Sequence, residues 1–84
     1  MKKVIVTGGS GFIGSNLVNF LIQKKFFVIN IDKQSYSSNN YNKIKSKNYK
    51  LFKIDINNKK ELIKIIKKYR PKAIFNLAAE THVD

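Results

Sequence analysis

Cysteine and tryptophan are absent from this sequence, proline, methionine and histidine occur once each, and acidic side chains number only five. Without cysteine there is no disulfide and no thiolate metal ligand, which fits a reducing compartment. The single histidine, His82, has no partners at metal-ligand spacing, so no metal is expected. No apolar stretch runs beyond a few residues, far short of the ~20 that a membrane-spanning helix needs. Lys2 and Lys3 lead into a short apolar run and then glycines, not into a signal-peptide core and cleavage site. A cytoplasmic chain with no membrane partner is expected.

Basic residues, in contrast, number 17, for a formal net charge of +12. A charge of that size raises the question of nucleic acid or an anionic surface. The cations, however, are spread from Lys2 to Lys72, and only Arg70 is an arginine. Phosphate and base recognition recruits arginine and clusters it. The accompanying richness in Ile and Asn points to compositional drift on solvated faces, and no nucleic acid is expected as a partner. With 84 residues, 43% of them hydrophobic, the chain can form one small folded domain that is marginal by itself.

Val4-Ile5-Val6 reads as a strand buried on both faces. Apolar residues then recur at helical spacing (Phe12, Ile13, Leu17, Val18, Phe20, Leu21, Ile22), with Ser15, Asn16, Asn19 and Gln23 on the opposite face and Lys24 and Lys25 closing the helix. Phe26 to Ile31 reads as a second strand ending at Asp32. The polar stretch from Lys33 to Asn48 is a loop, with room for one short helix over Asn40 to Lys45. Leu51 to Ile54 reads as a third strand ending at Asp55. Asn58 with Glu61 forms a capping box for a helix whose apolar stripe is Leu62, Ile63, Ile66 and Tyr69, stopped by Pro71. Ala73 to Leu77 reads as a fourth buried strand. This β-α-β-loop-β-α-β order predicts a Rossmann-like α/β fold: a doubly wound parallel sheet, incomplete, holding the first four strands.

Between the first strand and first helix lies "TGGSGFIG", with Gly8, Gly9, Gly11 and Gly14. Such a turn aims backbone N–H groups and the positive helix end at a phosphate, and missing Cβ atoms let a pyrophosphate approach. Asp32 follows Gly14 at close to the ~20-residue spacing at which an acidic side chain takes ribose hydroxyls of NAD and repels the 2′-phosphate of NADP. Lys33 beside it is positioned to offset that repulsion. Asp55 ends the third strand, where ligands of open α/β sheets lie. Contact with an adenine amino group and a plain turn aspartate are equally consistent with it.

Together these residues resemble the extended short-chain dehydrogenase/reductase family, whose glycine motif takes the form Gly8-x-x-Gly11-x-x-Gly14, Gly9 making the match to Gly9-x-Gly11-x-x-Gly14 incidental. The finer resemblance is to that family's nucleotide-sugar 4,6-dehydratases: "NIDKQSY" (Asn30 to Tyr36) is similar to their "VDKLTYAGN", "KIDI" (Lys53 to Ile56) to their adenine-contacting "DI", and "NLAAETHVD" (Asn76 to Asp84) to their "HLAAESHVD". The chain departs from that pattern in "SYSSN", where a glycine is replaced, and in Thr81, which stands for serine. The resemblance implies NAD as cofactor. Phe12 and Ile13 would contact the pyrophosphate, with Gly8, Gly11 and Gly14 forming the turn. Asp32, Lys33, Gln34 and Ser35 would surround the ribose, and Asp55 and Ile56 would hold adenine. Leu77, Ala78, Ala79, Glu80 and Thr81 would line the nicotinamide half, and Thr81, His82 and Val83 would approach the sugar nucleotide. The plainer reading of His82 is a satisfied structural histidine beyond a strand end.

The resemblance also implies a reaction: oxidation at C4 of a nucleotide glucose, with dTDP-glucose the expected substrate, loss of water across C5 and C6, and hydride return to C6. That cycle needs a tyrosine-lysine pair and two acids which, in the family, lie well past the segment matched. Two Tyr-x-x-x-Lys matches occur, Tyr41 to Lys45 and Tyr49 to Lys53. The second falls on a strand, where four residues span roughly 13 Å, and the first on the adenosine-side loop, so neither is taken as catalytic. Residues 1–84 are thus expected to be the amino-terminal part of an NAD-binding domain, without catalytic residues and poorly stable alone, from a protein that is a homodimer in the family. Another nucleotide-sugar epimerase, dehydratase or decarboxylase, or a non-catalytic NAD-binding protein, are the alternatives.

Overall fold

The computed structural model describes residues 1–33 and 44–77. Among them run β1 (Lys3–Thr7), α1 (Phe12–Gln23), β2 (Phe27–Ile31), β3 (Tyr49–Phe52), α2 (Lys59–Tyr69) and β4 (Ala73–Asn76). The strands form one parallel sheet in the order β3-β2-β1-β4, with Ile5 level with Ile29 on one side and Ile74 on the other. The order of elements is the expected one, and the sheet is Rossmann-like.

Alternation along the strands sorts the apolar residues to two faces. Val4, Val6 and Val28 face α1 and pack with Val18 and Leu21. Ile5, Ile29 and Ile31 face α2 and pack with Ile65. Helices therefore cover opposite faces, which makes the sheet doubly wound, and each fully buried aliphatic side chain contributes about 1.5–3 kcal/mol. Tyr69 anchors the end of α2, stacked on Phe27 at 6.4 Å and edge-on to Phe52 at 6.1 Å between ring centroids.

Several expectations are corrected. Ser15 is not on the outer face of α1: the buried stripe is Gly14, Ser15, Val18 and Leu21, while Phe12, Ile13 and Phe20 are exposed. Small residues are needed where the helix head meets the glycine turn. Lys24 and Lys25 lie past the last helical turn, Lys24 as the cap and Lys25 at φ 73°. In α2 the buried residue is Ile65 and Ile63 is exposed, because the stripe runs through Leu62, Ile65, Ile66 and Tyr69. The third strand lies two residues earlier than expected. It pairs from Val28↔Tyr49 to Ile31↔Phe52 and stops there because β2 turns off at Asp32. The fourth strand is not buried: Ala73, Ile74 and Asn76 are exposed on the sheet's edge. The expected short helix over residues 40–45 lies mostly outside the described residues, and Ile44 and Lys45 are in neither helix nor strand.

Candidate functional site

In a parallel sheet all strands end on the same side, and here the ends of β1, β2 and β3 surround a cleft of about 620 Å³. Its lining includes Gly8, Gly11, Phe12, Ile13, Gly14, Asp32, Lys33, Asp55, Ile56 and Leu77. Every sequence-predicted cofactor residue within the described part is therefore in one cavity. Gln34, Ser35, Ala78, Ala79, Glu80 and Thr81, with the substrate-side residues His82 and Val83, lie outside the described residues. Ile31, Ile54 and Asn57 also line the cleft and were not singled out from sequence; their signal was their place beside the strand-end aspartates.

The glycine turn is built by three consecutive donors. Gly8 N–H donates to the Ile31 carbonyl at 2.9 Å, Gly9 N–H to Asn30 Oδ1 at 2.8 Å, and Ser10 N–H to Asp32 Oδ2 at 3.0 Å. The end of β2 thus holds the turn from beneath. Gly8 has φ 78°, which a side chain rarely adopts. A Cβ on Gly14 would overlap the Gly8 carbonyl and come within 2.7 Å of Gly9 Cα, so the helix can start against the turn only with glycine there. Gly9 is not incidental to the motif, since its own Cβ would meet Asn30 Oδ1 at 2.6 Å.

With residues 8–10 committed to β2, donors for an anion have to come from Gly11 and the head of α1. No side chain caps that helix end, and its first turn holds no acidic residue. The first intrahelical bond runs from Ser15 N–H to the Gly11 carbonyl, so the turn before it presents N–H groups and the positive dipole end to the cleft. Phe12 and Ile13, 61% and 72% exposed, flank this mouth. The fit to a dinucleotide is therefore one of shape and charge: Cβ-free backbone, helix N-terminus and, across the cleft, carboxylates.

Asp32 is buried, with one carboxylate oxygen on the turn. Asp55 combines both readings open to it. Its Oδ1 accepts from Asn57 N–H at 2.8 Å, as a turn aspartate does, yet it lines the cleft. Lys33 Nζ lies 3.8 Å from Asp55 Oδ2 rather than against Asp32. Leu77 is tied to β1 by its N–H, 2.9 Å from the Thr7 carbonyl. Tyr49, of the Tyr49 to Lys53 match, turns its hydroxyl under the sheet to accept from Asn30 Nδ2 at 2.9 Å. Tyr41 lies outside the described residues. Among the described residues no group of acids and histidine could hold a metal ion, and no helix is long and apolar enough to cross a membrane.

A doubly wound parallel sheet with a glycine turn and strand-end carboxylates around one cleft defines a nucleotide-binding protein of the Rossmann type. The chain belongs, more narrowly, to the GDP-mannose 4,6 dehydratase family, whose model matches residues 5–84. It is 44% identical to a dTDP-glucose 4,6-dehydratase of Haemophilus influenzae over 88 aligned positions, covering all of this chain and 26% of the relative. A dTDP-glucose 4,6-dehydratase of Neisseria meningitidis is 40% identical, with 25% of its length covered. The chain thus spans about a quarter of the length of the curated relatives it matches. Among solved structures, dTDP-glucose 4,6-dehydratase from Bacillus anthracis in complex with NAD superposes with a TM-score of 0.85 at 39% identity, over 95% of this chain and 27% of that one. UDP-glucose 4-epimerase from Thermotoga maritima with UDP-glucose gives 0.81 at 32%, over 94% and 25%.

Proposed function

We propose that residues 1–84 form the NAD-binding, amino-terminal part of a dTDP-glucose 4,6-dehydratase. The observation that carries the reading is the single cleft uniting the glycine turn, Asp32 and Asp55 at the carboxyl ends of the strands. The relatives named as dTDP-glucose 4,6-dehydratases, one of them in complex with NAD, support it.

In this reading the N–H groups of Gly11, Phe12 and Ile13 bind the pyrophosphate, and Gly8 and Gly14 keep its path clear. Asp32 accepts from the ribose hydroxyls. Asp55 and Ile56 hold adenine, and Leu77 packs on the nicotinamide half. Buried Asp32 opposes a 2′-phosphate, and Lys33, drawn 3.8 Å from Asp55, is not set to neutralise it, which favours NAD over NADP. Gln34 and Ser35 extend the ribose side, Ala78, Ala79, Glu80 and Thr81 the nicotinamide side, and Thr81, His82 and Val83 reach toward the sugar. Bound NAD supplies a hydride acceptor for C4 of the sugar and a donor for C6. The reading carries with it a cytoplasmic, homodimeric enzyme of deoxysugar biosynthesis that needs neither nucleic acid nor membrane.

Incubating the protein, as its cell makes it, with dTDP-glucose and NAD tests this. Loss of one water to give a 4-keto-6-deoxy sugar is the expected result. The likeness to UDP-glucose 4-epimerase supports a second reading, and conversion of UDP-glucose to its 4-epimer with no loss of water would replace the first by it.

A further inference from the structure

The residue that the cleft does not contain, but on which its shape depends, is Asn30. It is 0% exposed, a polar amide in a strand whose neighbours Val28, Ile29 and Ile31 are all apolar. Its hydrogen bonds are all accounted for. Oδ1 accepts from Gly9 N–H at 2.8 Å, and Nδ2 donates to Ser10 Oγ at 3.0 Å and to the Tyr49 hydroxyl at 2.9 Å. The amide has one workable orientation, because Gly9 N–H can only donate and must meet the oxygen. The fit is close on the other side too, where any Cβ on residue 9 would stand 2.6 Å from that oxygen.

We propose that Asn30 is a positioning residue that fixes the glycine turn for a pyrophosphate, braced in turn by Tyr49 from β3. The proposal rests on the reading of the cleft as an NAD site. Asn30 holds the middle of the three turn N–H groups, and Gly11 and the head of α1 follow immediately. An error at Gly9 is therefore carried into the anion donors, whose alignment has to be set before the ligand arrives. Asn30 reaches the ligand only through the turn, so its effect falls on the phosphates and spares the adenosine, which Asp32 and Asp55 would hold.

Affinities for ADP and for adenosine, measured on the protein as its cell makes it and on two variants, test this. Asn30→Leu is expected to weaken ADP about tenfold, the scale of one orphaned buried donor, and to change adenosine by less than about threefold. Tyr49→Phe, which keeps the apolar contacts of the ring and decides the matter where Asn30→Leu does not fold, is expected to weaken ADP by about two- to threefold, the scale of one lost neutral hydrogen bond, with adenosine unchanged. Equal losses for ADP and adenosine would mean a merely structural role and overturn the proposal, as would no loss in either variant. Wild-type protein that binds neither ADP nor NAD would overturn the NAD reading itself, and the proposal with it.

Discussion

Tyr49 stands on an edge strand, yet its ring packs against the valine cluster beneath α1 and its hydroxyl meets Asn30. Burial raises the phenol's pKa above the ordinary 10.0. The negative charge of Asp32 adds to the rise, and the bond donated by Asn30 works against it. A group whose pKa is higher folded than unfolded contributes stability that is whole below the unfolded value and is lost as pH climbs through the folded one. Wild-type protein should therefore lose more stability between pH 9 and pH 11 than Tyr49→Phe does. The difference is small, because solvent screens a half-buried group. Urea unfolding of both at the two pH values measures it, and equal losses would mean that the phenol is not held as described. Asp32 and the glycines were readable from residue type and spacing. Asn30 was not, because an asparagine in "FVINID" carries no mark of which face it takes until Val28 and Val6 are seen to share its side of the sheet.

Among the elements, α2 has the clearest punctuation. Asn58 Oδ1 accepts from Glu61 N–H at 3.3 Å, which is half of the expected capping box; the other half is not formed, since Asn58 N–H donates to the Asp55 carbonyl at 2.8 Å. Its far end was only half readable. Pro71 announced a stop, but not that Arg70 would take the left-handed conformation, φ 51°, while its N–H still reaches the Ile66 carbonyl at 2.8 Å. That conformation strains any residue with a Cβ and suits glycine. Relief of that strain, about 1–2 kcal/mol, outweighs the roughly 0.5–1 kcal/mol of extra chain entropy that glycine loses on folding. Arg70→Gly should therefore stabilise the fold by up to about 1 kcal/mol, read as a higher midpoint in thermal or urea unfolding, whereas Arg70→Lys should leave it unchanged. A destabilised glycine variant would show that the arginine side chain matters more than its backbone. Strand boundaries were less legible than helix caps, for a physical reason. Lys50 looks wrong for a buried strand, but among the described residues β3 pairs only with β2, and an edge strand tolerates a cation over its aromatic neighbour: Lys50 Nζ lies 5.3 Å from the Phe52 ring centre. Where a strand ends depends on its partner, which no local pattern contains.

At the scale of the whole molecule, burial is uneven. Among the described residues, eight of the nine buried hydrophobics are Val4, Ile5, Val6, Val18, Leu21, Val28, Ile29 and Ile31, all on β1, β2 and α1, and the ninth is Ile65 of α2. Beyond β1 the sheet thins out, and on β4 Ile74 is 49% exposed although it lies level with Ile5, which is 0% exposed. The sequence hid this, since Ala73-Ile74-Phe75 is an unbroken apolar run like Val4-Ile5-Val6, and apolarity does not say whether a cover is present. Local opening follows such differences in burial. In the 84-residue chain, amide exchange of the β1 and β2 interior should accordingly be at least about tenfold slower than that of Lys72 and Leu77, although both of those donate to β1, at 2.7 Å and 2.9 Å. Hydrogen exchange followed residue by residue measures this directly. Uniform protection would mean that the β4 edge is covered in solution, and a concentration dependence of that protection would identify the cover as a second copy of the chain.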